Sequence, residues 1–105
     1  MVKIPDKIRI IIDKYLHLLE LNNVPIKTAF LFGSYAKGNP QEYSDIDLAL
    51  VSEIFEGRRL ADKSKIRRIT LSVSSDLEVF PFNPNDFNSE NPFAREIIET
   101  GIQIV

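Results

Sequence analysis

With 105 residues, 44% of them hydrophobic and 27% charged, the sequence fits one small globular domain able to fill a core of its own, and a single domain over 1–105 is expected. The absence of cysteine excludes a disulfide framework, a thiolate metal site and a cysteine nucleophile. A formal net charge of -2 does not favour a nucleic-acid partner, and with neither a signal-like start nor a membrane-length apolar run the expected setting is the cytoplasm, with no membrane contact.

From Pro5 to Leu21, Ile8, Ile11, Ile12, Tyr15, Leu18 and Leu19 recur at steps of three and four, which predicts an amphipathic helix with His17 off its apolar stripe. Asn22-Asn23-Val24-Pro25 ends it, and Ile26 to Phe32 reads as a short apolar strand running into Gly33-Ser34. After a polar loop with Gly38, Asn39 and Pro40, Ile46 to Val51 is apolar apart from Asp47, as a central strand covered on both faces would be.

Gly57 closes the next turn. Arg58 to about Val73 then predicts a second long helix, with Ala61, Ile66, Ile69 and Val73 inward and Arg58, Arg59, Lys63, Lys65, Arg67 and Arg68 making a charged outer side. Leu77 to Phe80 reads as a third strand, after which Pro81-Phe82-Asn83-Pro84 is expected to leave regular structure. A last helix from about Pro92 to Thr100 has Asn91 as N-cap, Pro92 in its first turn and Gly101 as its stop. Ile102 to Val105 is a candidate edge strand. Phe82, Phe87 and Phe93 either mark a partner or self-association surface or close the core. The pattern as a whole predicts an α/β (α+β) fold: a small mixed sheet with helices mainly on one face.

Chemistry concentrates in the middle of the chain. A strand that ends in Gly33-Ser34 and enters a helical turn offers backbone N–H groups and a hydroxyl to an anion, and glycine lets phosphate oxygens come close to the main chain. Asp45 and Asp47, two apart in an extended segment, project from one face. Such a pair stays ionised when cations neutralise it, and Mg²⁺ prefers carboxylate, water and phosphate oxygens. Two such ions suit in-line displacement at phosphorus. A third carboxylate is expected from the next strand. Asp76 is the choice, as metal ligand or as base for an acceptor hydroxyl, with Glu78 as a supporting or substrate-side group. Tyr35 and Tyr43 border the site.

Gly33-Ser34, a ten-residue interval and then Asp45-Ile46-Asp47 resemble the signature of the DNA polymerase β-like nucleotidyltransferase superfamily, in its branch of minimal nucleotidyltransferases (MNT), antitoxin type. The order of the surrounding elements, to the helix ending at Gly101, extends the resemblance over nearly the whole chain. It implies a polymerase β palm-like fold, two magnesium ions on Asp45, Asp47 and Asp76, and the triphosphate of ATP at Gly33 and Ser34. Lys37 stands where relatives often carry arginine, as a further phosphate contact. It also implies transfer of AMP to an acceptor on a partner, in this group a HEPN-family toxin, with the transferase as antitoxin. The alternatives are a slow or non-catalytic module that neutralises a partner by contact, or transfer to an aminoglycoside-type small molecule or an RNA end. An oligomer is compatible with all of these.

Overall fold

The computed structural model describes residues 3–38, 40 and 44–105. In chain order the elements are helix α1 (Asp6–Leu21), strand β1 (Thr28–Phe32), the single helical turn α2 (Ser34–Lys37), strand β2 (Ile46–Val51), helix α3 (Arg59–Val73), strand β3 (Leu77–Phe82), helix α4 (Pro92–Thr100) and strand β4 (Ile102–Gln103). The strands form one sheet in the order β3-β2-β1-β4. β1 runs antiparallel to β2 and to β4, while β2 and β3 are parallel and need the crossover that α3 supplies. The sheet is therefore mixed, as the sequence predicts.

Alternation along the strands divides the core into two layers. On one face Ala29, Leu31, Ile46, Leu48, Leu50, Leu77 and Val79 meet Ile8, Ile12, Tyr15 and Leu19 of α1 and Ile66 of α3. On the other, Phe30, Ala49, Val51 and Phe82 meet Ala94 and Ile97 of α4. Most of the helical mass thus covers one face and α4 covers the other. Phe87 and Phe93 pack against this second layer, and with Phe82 they close the core.

α1 presents the expected stripe and leaves His17 exposed. α3 turns Ile66 inward as expected, with Ile69 and Val73 packed against the same core. Its buried residues are Asp62, Ile66 and Thr70, one turn apart, while Ala61 is exposed. Both polar members are satisfied. Tyr15 Oη and Thr70 Oγ1 share a buried hydrogen bond of 2.6 Å that ties α1 to α3, and burial pushes the Tyr15 phenol up to about 12 against the lowering effect of that bond. The Asp62 carboxylate accepts N–H groups from Glu56, Gly57 and Arg58 at 2.9–3.0 Å and so fixes the turn leading into α3. Burial alone would raise this carboxyl; hydrogen bonds from the Glu56 N–H, Lys65 and the Gly57 N–H outweigh it and hold it below the ordinary range.

The strand after α3 is longer than its sequence suggests. β3 continues through Pro81 to Phe82. The carbonyls of Asp76 and Phe82 both accept N–H groups from the β2 side, from Ile46 and Ser52. Even-numbered residues of β3 therefore turn their backbone groups to β2, and Pro81, odd-numbered, has its missing N–H on the open edge, where a strand tolerates it. At α4 the Asn91 side chain accepts from Phe93 N–H at 3.1 Å and Ala94 N–H at 3.3 Å, the predicted cap. Gly101 ends the helix by closeness, not by a left-handed turn. A Cβ there would lie 2.5 Å from the Ile97 carbonyl oxygen.

Candidate active site

β1 ends at Phe32, and the chain then bends at Gly33, whose φ of 74° belongs to the region that a side chain disfavours. A second constraint acts at the same position. A Cβ on Gly33 would collide with Asp47 Oδ2 and stand 3.2 Å from its Cγ. The register explains this closeness, because Phe32 pairs with Asp47 across β1 and β2 and the next residue is the bend. The missing side chain thus makes room for the Asp47 carboxylate as well as opening the main chain to a ligand.

Beyond Gly33 the turn α2 begins. Lys37 N–H bonds back to the Gly33 carbonyl at 3.1 Å, whereas the N–H groups of the first turn have no partner within so short a helix. Ser34 and Tyr35 are half-buried and Lys37 is exposed. Lys37 and Gly33 line a cavity of about 140 Å³ with Phe32, Phe93 and Glu96. Tyr43 lies outside the described residues.

Carboxylates gather at one end of the sheet, where Asp45 and Glu78 both act on Asp47. Asp47 pairs with Glu78 across the parallel β2 and β3, and extending the register by one residue sets Asp45 level with Asp76. Residues two apart share a face, so Asp45, Asp47 and Glu78 form a grid at this strand end, while Asp76 lies in the turn before β3. They are not equivalent. Asp47 is half-buried and its carboxyl is raised, first by burial, then by the charges of Asp45 and Glu78. Asp76 is exposed; its backbone carbonyl accepts Ile46 N–H at 2.8 Å and its N–H donates to Ser74 Oγ at 3.1 Å. Glu78 is half-buried and receives Lys63 Nζ on Oε1 at 3.1 Å. The structure brings Asp45, Asp47 and Gly33 together and sets Glu78, not Asp76, directly beside Asp47. The missed signal was the parallel register, which a single strand's alternation does not contain.

Among the described residues no three acidic or histidine side chains close into a ready-made cation cage. The donors present are nonetheless hard carboxylate oxygens crowded at one strand end, with burial and then like charges raising Asp47, and this suits a divalent cation of the magnesium type. Beside the grid, Phe32, Phe80 and Phe93 meet edge to face at 5.1–5.9 Å. Arg59 lies over two of the rings, 5.6 Å from the Phe80 centroid and 5.3 Å from that of Phe93.

Residues 13–105 match the family described as polymerase beta, nucleotidyltransferase. Two crystal structures of mutants of the toxin-antitoxin MntA-HpeT are similar in fold. One is 19% identical with a TM-score of 0.60, covering 89% of this chain and 71% of that one. The other is 22% identical with a TM-score of 0.58, covering 89% and 70%. No curated protein matches the chain. Among the described residues no helix is long and apolar enough to cross a membrane.

Proposed function

Since the chain belongs to the polymerase beta nucleotidyltransferase family, we propose that it transfers AMP from ATP to a hydroxyl of a partner protein, as an antitoxin acting on a HEPN-type toxin. The observation that carries the reading is the bare Gly33 beneath the Asp47 carboxylate, with Asp45 and Glu78 as its charged neighbours. It joins an anion-accepting turn to a cation-accepting cluster at a single point, which is what a metal-bound triphosphate requires. The likeness to toxin-antitoxin structures supports the choice of a protein acceptor.

In this reading Gly33 and the N–H groups and hydroxyl of Ser34 hold the β- and γ-phosphates, and the Lys37 ammonium balances their charge from the end of α2. Asp45 and Asp47, with a carboxylate of β3, would hold two magnesium ions. Glu78 takes that third place because it is level with Asp47, and Asp76, first choice on sequence grounds, serves at the exposed rim. Bound there, the ions would stabilise charge on the leaving pyrophosphate. The acceptor oxygen forms its bond to the α-phosphorus as the bond from that phosphorus to the bridging oxygen breaks. The acceptor proton passes to a carboxylate of the cluster. Direct attack is the simpler mechanism, since no step of this reading needs a covalent intermediate on the chain.

The test is to incubate the chain with ATP, magnesium and a toxin encoded beside it, and to weigh the toxin. A gain of one or more adenylyl groups is expected, lost with Asp47→Asn and reduced more by Glu78→Gln than by Asp76→Asn. An unchanged mass, or neutralisation that survives Asp45→Asn with Asp47→Asn, would replace transfer by inhibition through contact.

A further inference from the structure

Helix α3 packs on the face of the sheet to which Leu77 and Val79 belong, while Glu78, Phe80 and Phe82 share the opposite face of β3, the one toward α4. β3 ends the sheet on its side, so a side chain of α3 reaches that opposite face by passing round the strand's outer edge. Two of them do so. Lys63 Nζ lies 3.1 Å from Glu78 Oε1, and Arg59, one turn earlier, stands over the Phe80 ring at 5.6 Å. The two cations thus run alongside Glu78 and Phe80 in step with the strand.

Among the described residues Asp45, Asp47 and Asp76 form no salt bridge, and Glu78 forms one, with Lys63. The neighbouring Lys65 is engaged elsewhere, with Glu56 and Asp62 at the start of the helix. As they stand, the carboxylates close no cation cage among the described residues. The member level with Asp47 already has one oxygen taken by an ammonium. An ammonium and a divalent ion on the same carboxylate oxygen repel each other strongly at a few ångströms, so the arrival of one favours the departure of the other.

We propose that Lys63 is a positioning residue that holds the metal's place on Glu78: it keeps the carboxylate beside Asp47 while no cation is bound and yields it as a divalent ion enters. The inference rests on the reading of Glu78 as the third metal-holding carboxylate. The ammonium offsets one negative charge of a crowded group, and its flexible four-carbon stem can withdraw round the edge of β3. Both partners are part-exposed, so the bridge is weak and readily exchanged, as a place-holder has to be.

The probe is Mn²⁺, a paramagnetic substitute for magnesium, titrated against the whole chain without nucleotide and followed by electron paramagnetic resonance. Lys63→Met is expected to bind the ion about two- to fivefold more tightly than the native chain, the worth of a part-exposed bridge, and Lys63→Arg to bind it as the native chain does. The gain is expected to vanish in a Glu78→Gln background, as a direct contact between the two side chains requires. Neither side chain belongs to the core, and circular dichroism is expected to match across the set. Unchanged or weaker binding by Lys63→Met overturns the proposal. So does a gain that persists in full with Glu78→Gln, which is a general effect of the lost charge. The place-holder and the reading beneath it fail separately. Binding that Asp45→Asn with Asp47→Asn abolishes, that Glu78→Gln weakens and that Lys63→Met leaves unaltered sinks the place-holder alone. An ion bound equally well by Glu78→Gln and by the native chain sinks Glu78 as a ligand and the place-holder with it. Exchange found in a chain that adenylylates nothing upholds the place-holder and sinks transfer.

Discussion

At the scale of single residues, Gly33 and Asp47 occupy a space that neither shares with a methyl group. Gly33→Ala adds a side chain at a φ of 74° and drives it into the Asp47 carboxylate. The expected result is a folded chain, destabilised by about 1–2 kcal/mol, whose transfer rate falls at least as far as that of Asp47→Asn. Asp62 is the contrasting case, a buried carboxylate with a structural task. Asp62→Asn turns an amide group toward backbone donors and is expected to cost about 2–4 kcal/mol in urea unfolding. Because its folded carboxyl sits below the unfolded one, its contribution is complete above the ordinary carboxylate range and is lost as pH falls through the lower, folded value. The acid limb of a stability profile should therefore flatten in the variant. The glycine and the aspartate pair were legible because their meaning lies in spacing along one segment. Asp62 was not, since a carboxylate in a helix rich in lysine and arginine reads as surface until the preceding loop supplies its donors.

At the scale of elements, Asn91 does what its sequence neighbours announce, and Asn91→Ala is expected to lower thermal stability by about 1 kcal/mol as two N–H groups at the start of α4 lose their acceptor. β3 was read too short. Pro81 argues against a strand only if the lost donor would face a neighbour, and which edge is open depends on the strand order, a property of the whole sheet. Pro81 is buried, so Pro81→Val places an N–H on the unpaired side of β3 without ready access to water, and a loss of about 1–3 kcal/mol in urea unfolding is the expected outcome. The same limit explains the preference for Asp76 over Glu78. Alternation within β3 sets both on the right face, but only the pairing of β2 with β3 tells which is level with Asp47.

At the scale of the molecule, one sheet separates two unequal tasks. The layer of α1 and α3 is a continuous apolar core under one face, and the layer of α4 and the phenylalanines supports the end of the sheet that carries the carboxylates. The mixed sheet with most helices on one side was legible from the order and periodicity of the elements. The polar part of α3's inward stripe was not, because Asp62 and Thr70 are satisfied by partners outside the helix, the N–H groups of the preceding turn for one and Tyr15 for the other. Burial of the Tyr15 phenol, against the lowering effect of the bond it shares with Thr70, gives this helical layer a built-in optical gauge. A phenol that stays protonated until about 12 is silent in an alkaline absorbance titration that ionises an ordinary tyrosine near 10. One of the three tyrosines should therefore remain dark until the layer comes apart. Stability should decline as pH rises from the unfolded value toward the folded one, so the late ionisation step and the loss of helical ellipticity should coincide, and Tyr15→Phe should remove the step while leaving the earlier ones in place.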